Sequence, residues 1–524
     1  MTILRKQFAL VFLLNGFFLI SRASNLDTIG VTLLRETTTN LDGSNIQVGQ
    51  AEAGDGAAAK WQVNPGVEGM ATNLFTYYYS STYVTVSTAN TYPNALGSES
   101  GHAEFVADKF YGVFNGVATN VSHVDNYEAN TFVYYYVGDV FNIPHSIPDR
   151  IVNHSYTFGT NDTAADQAFD DYIAQNNVLF LFGVAGPPVF TPASCYNGIA
   201  VGSFWSPAGP TSDGRCKPDI IAPGFAETSY TTPQVSGAAT VLLQAGLRGD
   251  GGSDTNSATD ARTLKALLLN GAVKPANWTN STSSPLDARY GAGVLNVFNS
   301  YQQLAGGRHG SIVSTTVSVG GAHPPTGAPG TVPVLNGWDL TNCVSLAHPA
   351  NDAVNHYYFN VTNSTPDAFF TATATLVWNR QQNQTSINDL NLFLYNCANS
   401  NLVACSTSLV DNVEHIFVPK LPQGRYDLQV WKAGGNSILT TSETYALAWE
   451  FVSPSLAISN SGAGVTISWP IYPAGYALES ATDLVSQNWK TNGLPLPVMT
   501  NGQNVVSVSA TNADLFFRLR MPNF

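Results

Sequence analysis

Residues 178–184 (VLFLFGV), 199–202 (IAVG) and 219–222 (DIIA) decide the fold. Each is a short run of β-branched or apolar residues bounded by Gly, Pro or Asn, the pattern of a strand buried on both faces. Working outward, 46–51 and 151–155 (IVNHS) read the same way. A helix is predicted over 164–175, with Ala165, Phe169, Tyr172 and Ile173 on one face. Strands alternating with helices predict right-handed crossovers, hence an α/β domain with a parallel sheet and helices on both faces. In such sheets the reactive groups gather beyond the carboxyl ends of strands and at helix N-termini.

Downstream the composition changes. Segment 320–333 (GGAHPPTGAPGTVP) is rich in Pro and Gly, as in a linker or long loop. Beyond it helix signals vanish. Segments 357–361, 371–378, 390–395, 426–431 and 445–452 alternate or run apolar between turn residues, which predicts a β-sandwich. A small β module follows, carried by 465–469, 476–479 and 516–519. The expected organisation is therefore 1–23 as an export signal, 24–307 as the α/β domain, 308–452 as the sandwich and 453–524 as the last module.

The 524 residues are 44% hydrophobic but only 11% charged, with a net charge of −14. Phosphate binding needs clustered Lys and Arg, so nucleic acid is excluded as a partner. Arg5 and Lys6, the apolar run 8–20 and the small-residue site Ser21-Arg22-Ala23 read as a cleaved signal. No later stretch is long and apolar enough for a transmembrane segment, so the mature chain is expected to be secreted or held at the cell surface. Export permits disulfides. Cys397 with Cys405 and Cys195 with Cys216 are candidate pairs, buried free thiols are the equal alternative, and connectivity stays open. No metal-ligand spacing is present and no cofactor is implied; a structural calcium ion is left open. The sequons at Asn153 and Asn277 are not read as glycosylation sites, because Asn is abundant and Asn153 falls in a core strand. The tyrosine runs 77–79 and 134–136 read as strand packing rather than sugar stacking.

Three residues can do chemistry together. Ser229 precedes a strong helix pattern at 235–246, where backbone N–H groups and the macrodipole can stabilise an oxyanion. The plainer reading of a Ser there is a helix N-cap. His102 opens another helix-like stretch and suits a general base. Glu52 ends the strand-like run Val48–Glu52, where a carboxylate emerges at a strand's carboxyl end, with Asp55 as the substitute.

The surroundings of these residues resemble the subtilisin-like (subtilase) serine peptidases. Segment 206–224 (SPAGPTSDGRCKPDIIAPG) is similar to the family's S-x-x-G-P-T-x-D-G-R-x-K-P-D-I-x-A-P-G stretch. Residues 228–237 (TSYTTPQVSG) resemble the nucleophile motif, and His102 with Val106-Ala107 resembles H-G-T-H-V-A-G. Segments 192–202 and 286–296 are similar to two further family signatures. The resemblance spans about residues 45–305 and implies a serine endopeptidase. Ser229 would be the nucleophile, His102 the base and Glu52 its orienting carboxylate. A polypeptide substrate would lie along Ser155, Tyr156, Ala185 and Gly186. Segments 389–395 and 421–431 are similar to the jelly-roll domains that trail secreted peptidases, with no ligand legible.

Several departures bear on activity. Glu52 stands where the family has Asp. Ala185-Gly186-Pro187 replaces A-G-N and so removes a side-chain donor to the oxyanion, worth about 10²–10³ in rate, a figure measured in this same family. Glu227 replaces a Gly before Thr228-Ser229, the loop from Gly224 to Thr228 is short, and Thr157-Phe158 stand where Gly is usual. The alternative they raise is a pseudopeptidase, an extracellular binding protein that kept the fold and lost the rate. The joint presence of Ser229 and His102 weighs against it.

Overall fold

The structure, a computed structural model, describes residues 24–54, 59–138, 143–205, 209–363, 368–460, 464–485, 488–491, 493–509 and 515–520. The expected export signal, Asp55 and Ser206–Ala208 of the quoted motif lie outside these.

The first sheet is built from β1 (Gln47–Glu52), β2 (Phe75–Tyr79), β3 (Ser87–Ala89), β4 (His123–Glu128), β5 (Ile151–His154), β6 (Leu179–Gly183), β7 (Ile199–Gly202) and β8 (Ile220–Ile221). Their spatial order is β8-β7-β6-β5-β1-β4-β2-β3, parallel throughout except for the edge strand β3. The unbroken apolar runs follow from burial on both faces. Ile151, Leu179, Leu181, Ile199 and Val201 enter one hydrophobic cluster. Their chain neighbours Val152, Phe180, Phe182 and Ala200 enter the other. A two-residue period dictates this division once both faces are covered.

Five helices matter for the site: α1 (Gly101–Phe110), α2 (Thr163–Asn176), α3 (Thr228–Arg248), α4 (Ala261–Asn270) and α5 (Val297–Ala305). The side chains of α3 are buried from Thr231 to Gly246, all round the helix, which is why the sequence there is apolar and small without a polar face. Chain order places β4 on one side of β1 and β5 on the other. The winding reverses there, so a crevice opens beyond the carboxyl end of β1.

Nine further strands form the sandwich: β9 (Val313–Val317), β10 (Asn336–Val344), β11 (Asp352–Val361), β12 (Phe369–Trp378), β13 (Leu390–Asn396), β14 (Leu402–Ser406), β15 (Val413–Pro422), β16 (Gly424–Lys432) and β17 (Ser442–Val452). They make antiparallel sheets of order β9-β11-β16-β13-β14 and β10-β17-β12-β15. Alternate residues such as Tyr357, Phe359, Leu392 and Leu394 face Ala374, Leu376, Trp449 and Phe451 in one core. The Pro- and Gly-rich segment 320–333 connects β9 to β10, so it is a loop inside the sandwich rather than a linker before it. The last module has a four-stranded sheet and a two-stranded pair around Ile467, Trp469, Leu478 and Val506.

The sandwich sits directly on the α/β domain. Val377, Val413, Ala446 and Ala448 join the first domain's core. Arg380 pairs with the buried Asp170 of α2 at 2.8 Å, and its backbone exchanges hydrogen bonds with the Asn197 amide.

All five cysteines are free thiols. Cys405 stands opposite Phe393 in the β13–β14 ladder, whose last pair is Tyr395 with Leu402, so Cys397 lies beyond it. Cys195 belongs to one sheet-face cluster and Cys216 packs on the other. Neither candidate disulfide is formed. No helix among the described residues is long and apolar enough to cross a membrane.

Candidate active site

Glu52 is the final residue of β1, with its side chain 1% exposed. A buried carboxylate must be bonded to remain ionised at tolerable cost. The Gln50 side-chain amide, two residues back on the same face of the strand, donates to Glu52 Oε1 at 2.8 Å and to the Ala103 carbonyl at 3.0 Å. Tyr111 donates its hydroxyl to Gln50 Oε1 at 2.5 Å, which fixes the orientation of that amide. The other oxygen of Glu52 meets His102 Nδ1 at 2.8 Å.

His102 lies in the first turn of α1, a helix capped by the Ser100 side chain on the Ala103 N–H. The ring is 34% exposed. A carboxylate only accepts, so Nδ1 carries the proton toward Glu52, and in the neutral form of the ring Nε2 is the basic nitrogen. This is the tautomer a general base needs.

Ser229 is the second residue of α3. The N-cap position belongs to Glu227, whose side chain makes no capping bond, so the N-cap reading of Ser229 is corrected. Its hydroxyl instead donates to the Ser155 carbonyl at 3.3 Å, and the Ser155 hydroxyl donates to the Ser229 carbonyl at 3.0 Å. Ser155 is held in turn by the Asn153 amide at 2.9 Å, and Asn153 by the Ser236 hydroxyl at 2.9 Å. The next residue, Tyr230, sets its ring 5.9 Å from the His102 ring. Glu52, His102 and Ser229 thus gather at one end of the sheet, in the crevice between β1, β5 and the N-termini of α1 and α3.

The base of this crevice is close-packed. A Cβ on Gly183 would lie 3.2 Å from Thr228 Oγ1 and 3.3 Å from Thr232 Oγ1, so the end of β6 runs directly against the first turn of α3. Thr228 donates to the Val184 carbonyl at 2.8 Å.

Of the expected substrate-binding residues, Ser155 borders Ser229. Tyr156 turns its hydroxyl back to His154 Nδ1 at 3.1 Å. That leaves its ring on the core side. His154 is enclosed by Phe132, Phe180 and Phe182, and burial pushes its pKa down to about 3. It is a neutral core histidine. Ala185 and Gly186 enter a tight turn in which the Ala185 carbonyl accepts from the Phe190 N–H. Gly186 has φ +146°, and a Cβ there would meet the Pro188 carbonyl oxygen at 2.1 Å. Pro187 supplies no donor, and Glu227 is exposed. The Asn153 side chain is buried and bonded at both ends, which closes that sequon. Among the described residues no group of three or more His, Cys, Asp or Glu is arranged to hold a metal ion.

Sequence reasoning missed Gln50, Asn153 and Ser236. Their only signal was a polar residue inside an otherwise apolar strand or helix face.

The model of the Subtilase family matches residues 141–293, a span that includes Ser155, Gly186 and Ser229 but begins after Glu52 and His102. The chain is similar to the self-cleaved protease domain of PatA, at 21% identity over 51% of this chain and 100% of that one, with a TM-score of 0.32. It is similar to proteases from Pseudoalteromonas arctica at 16% identity, covering 50% of this chain and 91% of that one, with a TM-score of 0.34. The serine protease MycP1, described as an essential component of the type VII (ESX-1) secretion system, is 14% identical, with 53% and 87% covered and a TM-score of 0.33. No curated protein matches the chain.

Proposed function

We propose that this chain, whose residues 141–293 carry the subtilase signature, is an exported serine endopeptidase. The observation that carries the reading is the 2.8 Å contact of His102 Nδ1 with the buried Glu52 carboxylate, made at the end of the sheet where Ser229 opens α3. Nε2 of His102 accepts the Ser229 proton as Oγ attacks the scissile carbonyl. Glu52 stabilises the imidazolium that forms. The first N–H groups of α3 face the developing oxyanion, partly replacing the donor that Pro187 lacks. His102 then protonates the leaving amine, and water releases the acyl group from Ser229. The extended acyl portion pairs with the strand end at Ser155, and Ala185-Gly186 flank it.

The competing reading, a pseudopeptidase that binds without turnover, is favoured by Pro187 and by the negative charge of Glu227 two residues before Ser229. Fluorophosphonate labelling of the mature chain separates the two. An adduct at Ser229 that is lost in Ser229→Ala and His102→Ala supports the enzyme. A folded chain that never labels supports the binding protein.

A further inference from the structure

Where the sandwich meets the α/β domain, a groove of about 380 Å³ is lined by Asp166 and Gln167 of α2, by Tyr196 and Arg215, and by Arg380 and Thr385 of the sandwich. Three of these side chains are buried, and each keeps a polar atom that no protein group bonds: Arg215 Nη1, Arg380 Nε and Asp166 Oδ1. Buried polar groups are nearly always bonded, so three exceptions on one groove call for a ligand. The Tyr196 ring carries both guanidiniums, with Arg215 Cζ 3.7 Å and Arg380 Cζ 5.0 Å from its centroid. Arg215 gives Nε to the Asp213 carboxylate at 3.0 Å, and Arg380 pairs with Asp170 at 2.8 Å. Those two carboxylates balance the two cations, so the sign of the groove turns on Asp166. Its Oδ2 accepts from the Ser194 hydroxyl at 2.6 Å, and its proton, when present, lies on Oδ1. Burial pushes Asp166 up to about 7, with Asp170 adding and Ser194, Arg215 and Thr191 opposing. Below that value the groove offers three donors and no uncompensated negative charge.

We propose that this groove binds a small oxyanion, a sulfate, phosphate or carboxylate group, held between Arg215 of the α/β domain and Arg380 of the sandwich with Asp166 as a third donor. The inference goes beyond the acyl-transfer reading and does not depend on it. A planar guanidinium presents its N–H groups as a fork that matches an oxyanion, and a hydrogen bond to a charged acceptor is about twice as strong as a neutral one. Because one arginine comes from each domain, the ligand bridges the junction, and whatever binds there stabilises the folded pair.

Calorimetric titration of the full chain carrying Ser229→Ala, which prevents self-digestion, tests the site. Sodium sulfate is one probe and N-acetylglycine the other, at pH 6 and constant ionic strength. Saturable binding is expected, with the unfolding midpoint raised by about 3–5 °C at roughly tenfold the Kd. Tighter binding of sulfate assigns the site to an inorganic oxyanion, and tighter binding of N-acetylglycine to a peptide carboxyl terminus. Thr385→Asp adds a carboxylate at the exposed rim without touching the buried network. It should weaken binding about tenfold and leave the midpoint without ligand unchanged. Sulfate does not titrate between pH 6 and 8, so a loss of about tenfold in its affinity over that range reports Asp166 losing its proton. Asp166→Asn, which donates at both pH values, should hold its affinity. Around Asp166, burial raises Tyr196, while against its burial Arg215 and Thr211 hold Asp213 low. Lys265, bonded to the Tyr196 carbonyl, is pushed down by burial to about 8 and is common to both chains compared. Absence of saturable binding of both anions, binding indifferent to Thr385→Asp, or equal pH slopes with and without Asp166→Asn would each overturn the site.

Discussion

The helix that carries His102 is fastened by two buried carboxyl groups that keep a proton well above the usual carboxylate range. Glu104, two residues after His102, accepts from the Asn64 N–H at 2.5 Å and faces Glu68, both side chains being buried. Glu68 is anchored by its carbonyl to the Val113 N–H at 3.1 Å. Burial is the first cause of both shifts: Glu68 is pushed up to about 8, with Glu104 and Asp108 adding and Lys109 opposing, and Glu104 is pushed up to about 7, with the Asn64 N–H and the hydrogen bond with Glu68 opposing and Glu99 adding. Tyr77, Tyr92 and Tyr111 also look onto the pair and remain neutral in this range. One proton shared between the two carboxyls lets Glu68 donate to Glu104. The ordinary value is 4.5, so the folded chain holds more protons than the unfolded chain from about pH 4.5 to about pH 8. Its stability therefore falls as pH rises through that window. A pKa rise of about three units corresponds to at most on the order of 4 kcal/mol, reduced by solvent screening, for the pair as one titrating unit. Glu68→Gln keeps the shape, donates permanently to Glu104 and removes this titration. Thermal unfolding should be followed at pH 5, 7 and 9 in a Ser229→Ala background, which suppresses self-digestion. The unaltered pair should lose several degrees more between pH 5 and 9 than Glu68→Gln does, at roughly 2–4 °C per kcal/mol for a domain of this size. Parallel curves for the two proteins would refute the shared proton.

Three further outcomes are expected. Glu52→Gln should lower kcat by about 10⁴ with little change in KM, because an amide can hold His102 in the wrong tautomer; steady-state kinetics on a peptide substrate checks it. Arg380→Ala removes the ion-pair partner of the buried Asp170 carboxylate at the junction of the two domains, leaving it the Tyr196 and Asn197 N–H groups. It should destabilise by about 3–5 kcal/mol, visible as a lower midpoint in denaturant. The unfolded chain, prepared without reductant, should react with five equivalents of a thiol reagent, since all five cysteines are free; three or fewer would indicate a bridge.

Much of this fold was legible because burial on both faces writes itself into sequence. The β6 and β7 runs carry only apolar residues and Gly, β5 opens on Ile151-Val152, and helix α2 shows its stripe of Ala165, Phe169, Tyr172 and Ile173. The edge and partly exposed strands were less legible. β9 has the burial pattern of a half-covered edge and presents no hydrophobic run, while β14 is a short apolar run, Leu402 to Cys405, that stays exposed or only partly buried. β15 was missed although it is buried at its start, because Glu414 and His415 interrupt the pattern. Glu414 accepts from the Ser406 hydroxyl and the Ser408 N–H, and His415 Nδ1 bonds the Thr375 hydroxyl, contacts that only the fold brings together. The pairing of Glu52 with His102 was anticipated from order along the chain. The Gln50 amide that supports it was not, since a single Gln in a strand carries no chemical signature.

That support bears on whether the site works. Gln50, Asn153 and Ser236 are fully buried, and each needs partners to avoid a penalty of about 1–3 kcal/mol. Their partners lead directly to Glu52, Ser155 and thence Ser229. A protein that only needed the fold would be as stable, or more so, with apolar residues of similar volume at these positions. Gln50 holds the carboxylate that orients His102, and Asn153 holds the serine that brackets Ser229. Such a network has a purpose only if the geometry it maintains matters. Replacing Gln50 with Leu separates the two readings. If the site turns over substrate, kcat falls and its dependence on pH shifts as Glu52 loses a donor, beyond the loss of stability expected from leaving the Tyr111 hydroxyl and the Ala103 carbonyl without Gln50. If the chain only binds, the same change leaves its binding untouched and affects stability alone.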